Sequence, residues 1–169
     1  MNPDRVRRAY VGLGSNLDDP IVQVRRGIEH LHTLPMTRCL RASSLYRTLP
    51  WGRLDQPAFI NAVAELDTTL TAKALLDGLL SIEVVAGRVR DGERWGPRVL
   101  DLDLLLYGDD VVELPGLSVP HPHLQERVFV LLPLAQLAPT LEVPGRGRVS
   151  ELLARTDNSG CERLDDLSA

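Results

Sequence analysis

Lysine is almost missing from this chain. Lys73 is the single one, and apart from histidine every other basic side chain is arginine. Lys73 sits in TAKALL with no glycine run before it, which excludes the common phosphate loop that needs a lysine behind glycines. Cysteine is scarce too. Cys39 and Cys161 are far apart with no metal-ligand spacing, which excludes a disulfide framework and fits a reducing cytoplasm. Aromatic residues make up 4% of the chain, too few for a sheet that stacks RNA bases through paired rings. The net charge of −4 excludes a broadly basic surface, so nucleic acid is not an expected partner. No run of about 18 apolar residues is present, so no membrane partner is expected. The start, MNPDRVRRAYVG, lacks the apolar stretch of a signal peptide.

What remains is an ordinary globular composition, with 44% hydrophobic and 25% charged residues over 169 positions. That is enough for one domain with a real core, and residues 1–169 show neither an internal repeat nor a wide linker. Ala9–Leu13 reads as a buried strand. Asp19 and Pro20 open a helix whose stripe is Ile21, Val24, Ile28 and Leu31, and Pro35 closes it. Cys39–Arg47 reads as a second strand and Ala58–Leu66 as a third, with a proline- and glycine-punctuated loop, Thr48–Pro57, between them. Thr71 caps a second helix lined by Leu75, Leu79, Ile82 and Ala86, and Gly87 stands at its end. A strand over Val99–Tyr107 completes the order β-α-β-β-α-β. The fold class expected is α+β: a ferredoxin-like antiparallel sheet in an αβα sandwich. Val128–Leu137 is apolar and helical, and the polar tail from about Thr156 is a candidate for disorder.

The most informative stretch is Glu83–Tyr107. Arg88, Arg90, Arg94 and Arg98 crowd a glycine-containing loop that also holds Trp95. The loop runs into the last strand, where Asp101 and Asp103 share one face and Leu100, Leu102 and Leu104 the other. Two like charges side by side need compensation. A divalent cation such as Mg²⁺ supplies it, and a basic loop beside a metal strand suits a polyphosphate. A solvated loop with two surface aspartates is the plainer alternative.

Other positions carry weaker signals. The Gly12–Asn16 turn could cradle a phosphate, yet a strand-to-helix turn needs glycine anyway. Gly14 and Ser15 lie too far from Asp101 in sequence for a nucleotidyltransferase site. Phe59 and Asn61 share a strand face, which suits a flat heterocycle: the ring stacks, and the amide offers a donor and an acceptor. His121-Pro122-His123 lacks the further ligands of a zinc site, so His121 reads better as a phosphate donor.

Together GSN after the first strand, SSLYRT, DQPAFINAV, GRVRDGERWGPRVLDLDLLLYG and VPHPHLQERVFVLLPL closely resemble one family in order and spacing. That family is the 6-hydroxymethyl-7,8-dihydropterin pyrophosphokinases of folate synthesis, and the resemblance runs from about Tyr10 to Pro139. It implies transfer of pyrophosphate from ATP to the pterin hydroxymethyl group, leaving AMP. It implies two Mg²⁺ ions on Asp101 and Asp103, and catalytic roles for these two and for Arg88 and Arg98. The matching ATP positions are Glu83, Arg88, Arg90, Trp95, Arg98, Ser118, His121 and Arg127. The matching pterin positions are Thr48, Pro50, Phe59, Asn61, Trp95, Asp101 and Phe129, with the pterin between two aromatic rings. The loops Thr48–Pro57 and Gly87–Arg98 are expected to act as lids. A monomer with small-molecule partners is expected.

The chain departs from the family pattern in places. Leu49 stands where many relatives have proline, Trp51 replaces a smaller apolar residue, and Phe59 stands where tyrosine is frequent. Leu80, Gly116 and Pro122 depart on the nucleotide-base side, which is expected to weaken ATP binding rather than change the phosphate chemistry. Two other readings are a ferredoxin-like binding module and an inactive relative. The acidic strand face argues against the first, and the retained Asp101, Asp103, Arg88 and Arg98 against the second.

Overall fold

The computed structural model describes residues 5–48, 57–87 and 99–164. Strand β1 (Arg7–Ser15) buries Ala9, Val11 and Leu13 on one face and Tyr10 on the other. Helix α1 (Pro20–Leu31) starts with proline, whose missing N–H costs nothing in the first turn. It buries Val24, Gly27 and Leu31. Strand β2 (Thr37–Ala42) is followed by the short β3 (Tyr46–Thr48) and the long β4 (Phe59–Thr68). Helix α2 (Ala72–Val85) is capped by Thr71, whose side chain accepts the Ala74 N–H at 3.1 Å. It ends at Gly87, whose φ of 96° is the left-handed stop that glycine provides. Strand β5 (Asp101–Tyr107) pairs with β1.

A hairpin of β6 (Val112–Leu114) and β7 (Leu117–Val119) leads to a 3-10 turn at Leu124–Glu126 and to α3 (Val128–Leu137). The two-residue strands β8 (Glu142–Val143) and β9 (Gly147–Arg148), α4 (Val149–Ala154) and β10 (Cys161–Arg163) complete the described chain. The main sheet runs β10-β3-β4-β1-β5, with β2 also on β4, and all its pairs are antiparallel. α1 and α2 cover one face through Val24, Leu31, Leu75 and Leu79. α3 and α4 cover the other through Val130, Leu131, Leu134 and Leu152. This is the expected α+β, ferredoxin-like arrangement.

One expectation needs correction. Cys39–Arg47 is not one strand. At the break, Ser43 accepts the Val63 N–H with its hydroxyl at 2.9 Å while its own N–H donates to Val63 O. A serine side chain thus replaces a rung of the backbone ladder, and the chain bends into β3. Within the polar tail, among the described residues, β10 adds an edge strand, with Cys161 opposite Thr48. Arg163 Nε donates to Ser44 Oγ at 3.1 Å, and Leu164 N–H to Leu45 O.

A buried carboxylate fastens α3 to the sheet. Glu65 accepts the Tyr10 hydroxyl at 2.6 Å and Arg41 Nε at 2.9 Å. The same guanidinium donates to Leu137 O, the last carbonyl of α3, at 2.6 Å. Burial pulls the Glu65 pKa up. Hydrogen bonds from Arg41 and Tyr10 and the charges of Arg41 and Arg8 outweigh it, so the group lies below the usual carboxylate range. Burial first, then the bond to Glu65, pushes the Tyr10 hydroxyl up to about 12.

Glu65→Gln is expected to cost about 1–3 kcal/mol at pH 7, lowering Tm by several degrees. A lowered folded pKa stabilises above the unfolded value of about 4.3 and stops doing so as pH falls through the folded value. The difference in Tm between wild type and variant should therefore shrink below about pH 4. A difference that persists unchanged at pH 3 in thermal melts would rule out the ionic account.

Candidate active site

Asp101 and Asp103 project from β5 on the face that carries α3, and both are partly exposed. In β1, Gly14 lies opposite Asp101 and Gly12 opposite Asp103. Across β1 in the other direction, Gly14 faces Asn61 and Gly12 faces Val63 on β4. Directly opposed residues point to the same side of a sheet. Asn61 and Asp101 therefore flank a glycine that carries no side chain, two strand spacings or about 10 Å apart. The space over the two glycines is taken by neighbouring side chains, the Asn61 amide at Gly14 and Leu105 at Gly12.

The reason for Gly14 differs from the turn-forming one expected. Neither Gly12 nor Gly14 has positive φ; the turn after β1 puts that strain on Asp18 and Asp19, at 53° and 61°. A Cβ on Gly14 would instead come within 2.8 Å of Asn61 Oδ1. Glycine there makes room for a side-chain amide. Asn61 is oriented from its other end, where Nδ2 donates to Thr48 Oγ1 at 2.6 Å, and both groups are buried. Phe59 stands opposite Thr48 and on the same face as Asn61. Asn16, buried in the turn after β1, donates to Pro57 O at 3.1 Å and ties down the chain just before β4.

Behind β5, α2 supplies Glu83. Its buried carboxyl accepts the Leu102 N–H at 2.7 Å, between the two aspartates. From the front, Arg127 enters at the start of α3, 7% exposed, with Nη1 at 4.0 Å from Asp103 Oδ2. Burial lowers the Arg127 pKa, and Asp103 and Asp101 pull it back upward. A guanidinium remains charged throughout. Its carbon lies 5.7 Å from the centre of the Phe129 ring, on the first turn of α3.

His121 follows β7. Its N–H donates to Leu105 O at 3.0 Å, and its Nδ1 accepts the His123 N–H at 3.2 Å. Burial first, then the positive charges of Arg127, His123 and Arg146, pushes its pKa down to about 4. The ring is neutral near pH 7, and with Nδ1 accepting, its hydrogen sits on Nε2. Ser118 on β7 donates to Glu113 at 2.8 Å and is partly exposed. His123 pairs with Glu126 at 3.0 Å, so the two histidines of His121-Pro122-His123 serve different partners. Among the described residues, no group of three or more His, Cys, Asp or Glu is placed to hold a metal.

Of the expected site residues, Asp101, Asp103, Asn61, Thr48, Phe59, Arg127 and Phe129 come to one sheet face and its bordering helix. Glu83 stands behind that face, and His121 and Ser118 lie on the stretch from β7 to α3. Pro50, Arg88, Arg90, Trp95 and Arg98 lie outside the described residues, as do Leu49 and Trp51. Sequence reading missed Gly14 as a steric requirement and Asn16 as an anchor for Pro57. Neither contact has a local sequence signal, because each joins residues more than forty positions apart.

A face with an amide at one end and a pair of carboxylates at the other suits a polar substrate beside a divalent cation. Comparison with known proteins points the same way. The family described as 7,8-dihydro-6-hydroxymethylpterin-pyrophosphokinase matches residues 10–139. A 2-amino-4-hydroxy-6-hydroxymethyldihydropteridine pyrophosphokinase from Pseudomonas aeruginosa is 51% identical over 159 residues, covering 94% of this chain and 98% of the relative. Its namesake from Methylorubrum extorquens is 48% identical over 158 residues, covering 94% and 99%. Among solved structures, a Plasmodium falciparum HPPK-DHPS with pterin and p-hydroxybenzoate has the same fold, with a TM-score of 0.73 at 13% identity. That alignment covers 94% of this chain but 47% of the longer one, so this chain spans about half its length. With one family matched over most of its residues and near-full-length relatives at about half identity, the chain belongs to the 7,8-dihydro-6-hydroxymethylpterin-pyrophosphokinases, the enzymes that carry out pyrophosphate transfer in folate biosynthesis.

Proposed function

We propose that this pyrophosphokinase takes ATP as donor and 6-hydroxymethyl-7,8-dihydropterin as acceptor, and releases AMP and the pterin pyrophosphate. The observation that carries the reading is the register of three strands. It sets Asn61 and Asp101 on one face with only Gly14 between them. The pterin lies at the Asn61 end, between the rings of Phe59 and Phe129, and the hydroxymethyl group reaches toward Asp101. Asn61 reads the heterocycle edge, and its bond to Thr48 fixes which way the amide points. Pro50 and Trp95 are the further pterin contacts that the family resemblance implies.

The donor set at the other end fits Mg²⁺. Two partly exposed carboxylates on one strand face are the hard oxygen ligands that this cation takes, with phosphate and water oxygens as the usual remainder. Bound there, two Mg²⁺ ions would draw charge from the entering and leaving oxygens around the β-phosphorus. Asp101 and Asp103 would hold them. Glu83 keeps the strand between the aspartates in place through the Leu102 N–H. Arg127 balances Asp103, and Ser118, His121 and Arg90 serve the nucleotide. Arg88 and Arg98 neutralise the transferring group. We further propose a cytoplasmic monomer in which Thr48–Pro57 and Gly87–Arg98 close over the substrates.

Product analysis tests the reaction directly. With ATP, Mg²⁺ and the pterin, AMP should form in step with pterin pyrophosphate, and Asp101→Ala should abolish both; ADP as the product would overturn the mechanism. Arg88→Ala and Arg98→Ala should each lower kcat by about 10²–10³-fold. If both lose less than tenfold in steady-state assays, neither neutralises the transferring group. The neutral His121 makes a third prediction. With its pKa near 4, kcat/KM for ATP should show no His121 ionisation between about pH 5.5 and 8. An acidic limb near pH 6.5 that vanishes in His121→Gln would contradict that protonation state.

A further inference from the structure

Nothing assigned so far uses the hairpin β8–β9, yet its turn returns a side chain to the stretch that carries His121. Arg146 closes the turn with its N–H on Val143 O at 2.9 Å. Its neighbours Gly145 and Gly147 take left-handed backbone at φ 74° and 119°. These conformations suit glycine and set the direction of Arg146. The guanidinium then meets three acceptors. Nη1 donates to His121 O at 2.5 Å and to Gln125 Oε1 at 2.7 Å, and Nη2 donates to Pro120 O at 3.1 Å.

A planar fork with several donors can hold two successive carbonyls and an amide at once; an ammonium on a flexible stem cannot match that geometry. His121 is consequently held on three sides. Its N–H is bound to β5, its carbonyl to Arg146, and its ring Nδ1 to the His123 N–H. The last bond depends on how the chain turns between His121 and His123, and the carbonyls gripped by Arg146 lie on that turn. Resting on the reading of His121 as a nucleotide contact, we propose that Arg146 is a positioning residue for ATP binding. By clamping Pro120, His121 and Gln125 it holds the His121 ring as a neutral Nε2–H donor for the triphosphate.

A residue that only fastened the hairpin would affect stability and leave the two substrates alike. Arg146→Ala should raise KM for ATP about tenfold, the loss of one or two directed hydrogen bonds, with KM for the pterin and kcat within about twofold. Arg146→Lys should recover part of the loss, and Gln125→Leu, which removes one of the three acceptors, should cost about threefold in KM for ATP. Independently of turnover, ¹⁵N NMR of the imidazole rings, with His121 assigned through His121→Gln, should show a single Nε2–H tautomer in wild type and a mixture in Arg146→Ala. An unchanged tautomer, or KM values for ATP and pterin that rise together alongside a lower Tm, would overturn the proposal. If Arg146→Ala does not fold, Arg146→Lys and Gln125→Leu give the same readouts. A wild-type protein that forms no AMP would refute the functional reading, while the ring tautomers would still decide the clamp.

Discussion

Two carboxylates on one face of one strand set the terms for everything around them. Asp101 and Asp103 are two residues apart on β5, so their side chains start about 7 Å from each other. At that distance two full charges repel by roughly 2 kcal/mol with an effective dielectric of about 20. Relief by moving apart is denied to them. Leu100, Leu102 and Leu104 are buried on the opposite face, and the Leu102 N–H is held by Glu83 from behind. The repulsion is therefore met by bringing positive charge to the strand. Arg127, nearly buried beside Asp103, is the described part of that answer. On the neighbouring strand the same register sets Gly12 and Gly14 opposite the carboxylates, where Leu105 and the Asn61 amide occupy the space that side chains would need.

The position of Arg127 depends in turn on α3. That helix is short, apolar on nearly every side, and buried between the sheet and α4. Its C-terminus is tied to the sheet by Arg41, which bonds Leu137 O and Glu65 together. Its N-terminus carries Arg127, beside Asp103, and Phe129. Packing at one end of the helix is thus converted into geometry at the other. Side chains fixed in this way suit a reaction whose catalysis rests on aligning two substrates.

Much of this was legible in the sequence, for physical reasons. Alternation in Ala9–Leu13 and helical spacing in Leu75, Leu79 and Ile82 report burial directly, so the order of core elements could be read. The split between β2 and β3 could not, because Ser43 breaks the ladder through a contact with Val63, twenty positions away. β10 was illegible because a polar edge strand carries no burial signal; its order comes from pairing with β3. At the site, Asp101 and Asp103 announced themselves as like charges on an apolar strand. Gly14 suggested a turn, whereas its requirement is the Asn61 amide on another strand. Arg146 gave no sign, since only the fold brings it to His121.

The electrostatic state of His121 follows from the charge inventory of the proposed complex. A triphosphate and two carboxylates bring negative charge; two Mg²⁺ ions, Arg88, Arg98 and Arg127 bring positive charge. A further cation at His121 would have to be desolvated in a place already next to Arg127 and Arg146, which is why its protonation is disfavoured. What such a site still needs is direction, because point charges tolerate misplacement that in-line transfer does not. A neutral imidazole with one nitrogen occupied offers a single donor along a single line. The division of labour is then physical: arginines and metal supply field strength, and His121, held by backbone and by Arg146, supplies aim.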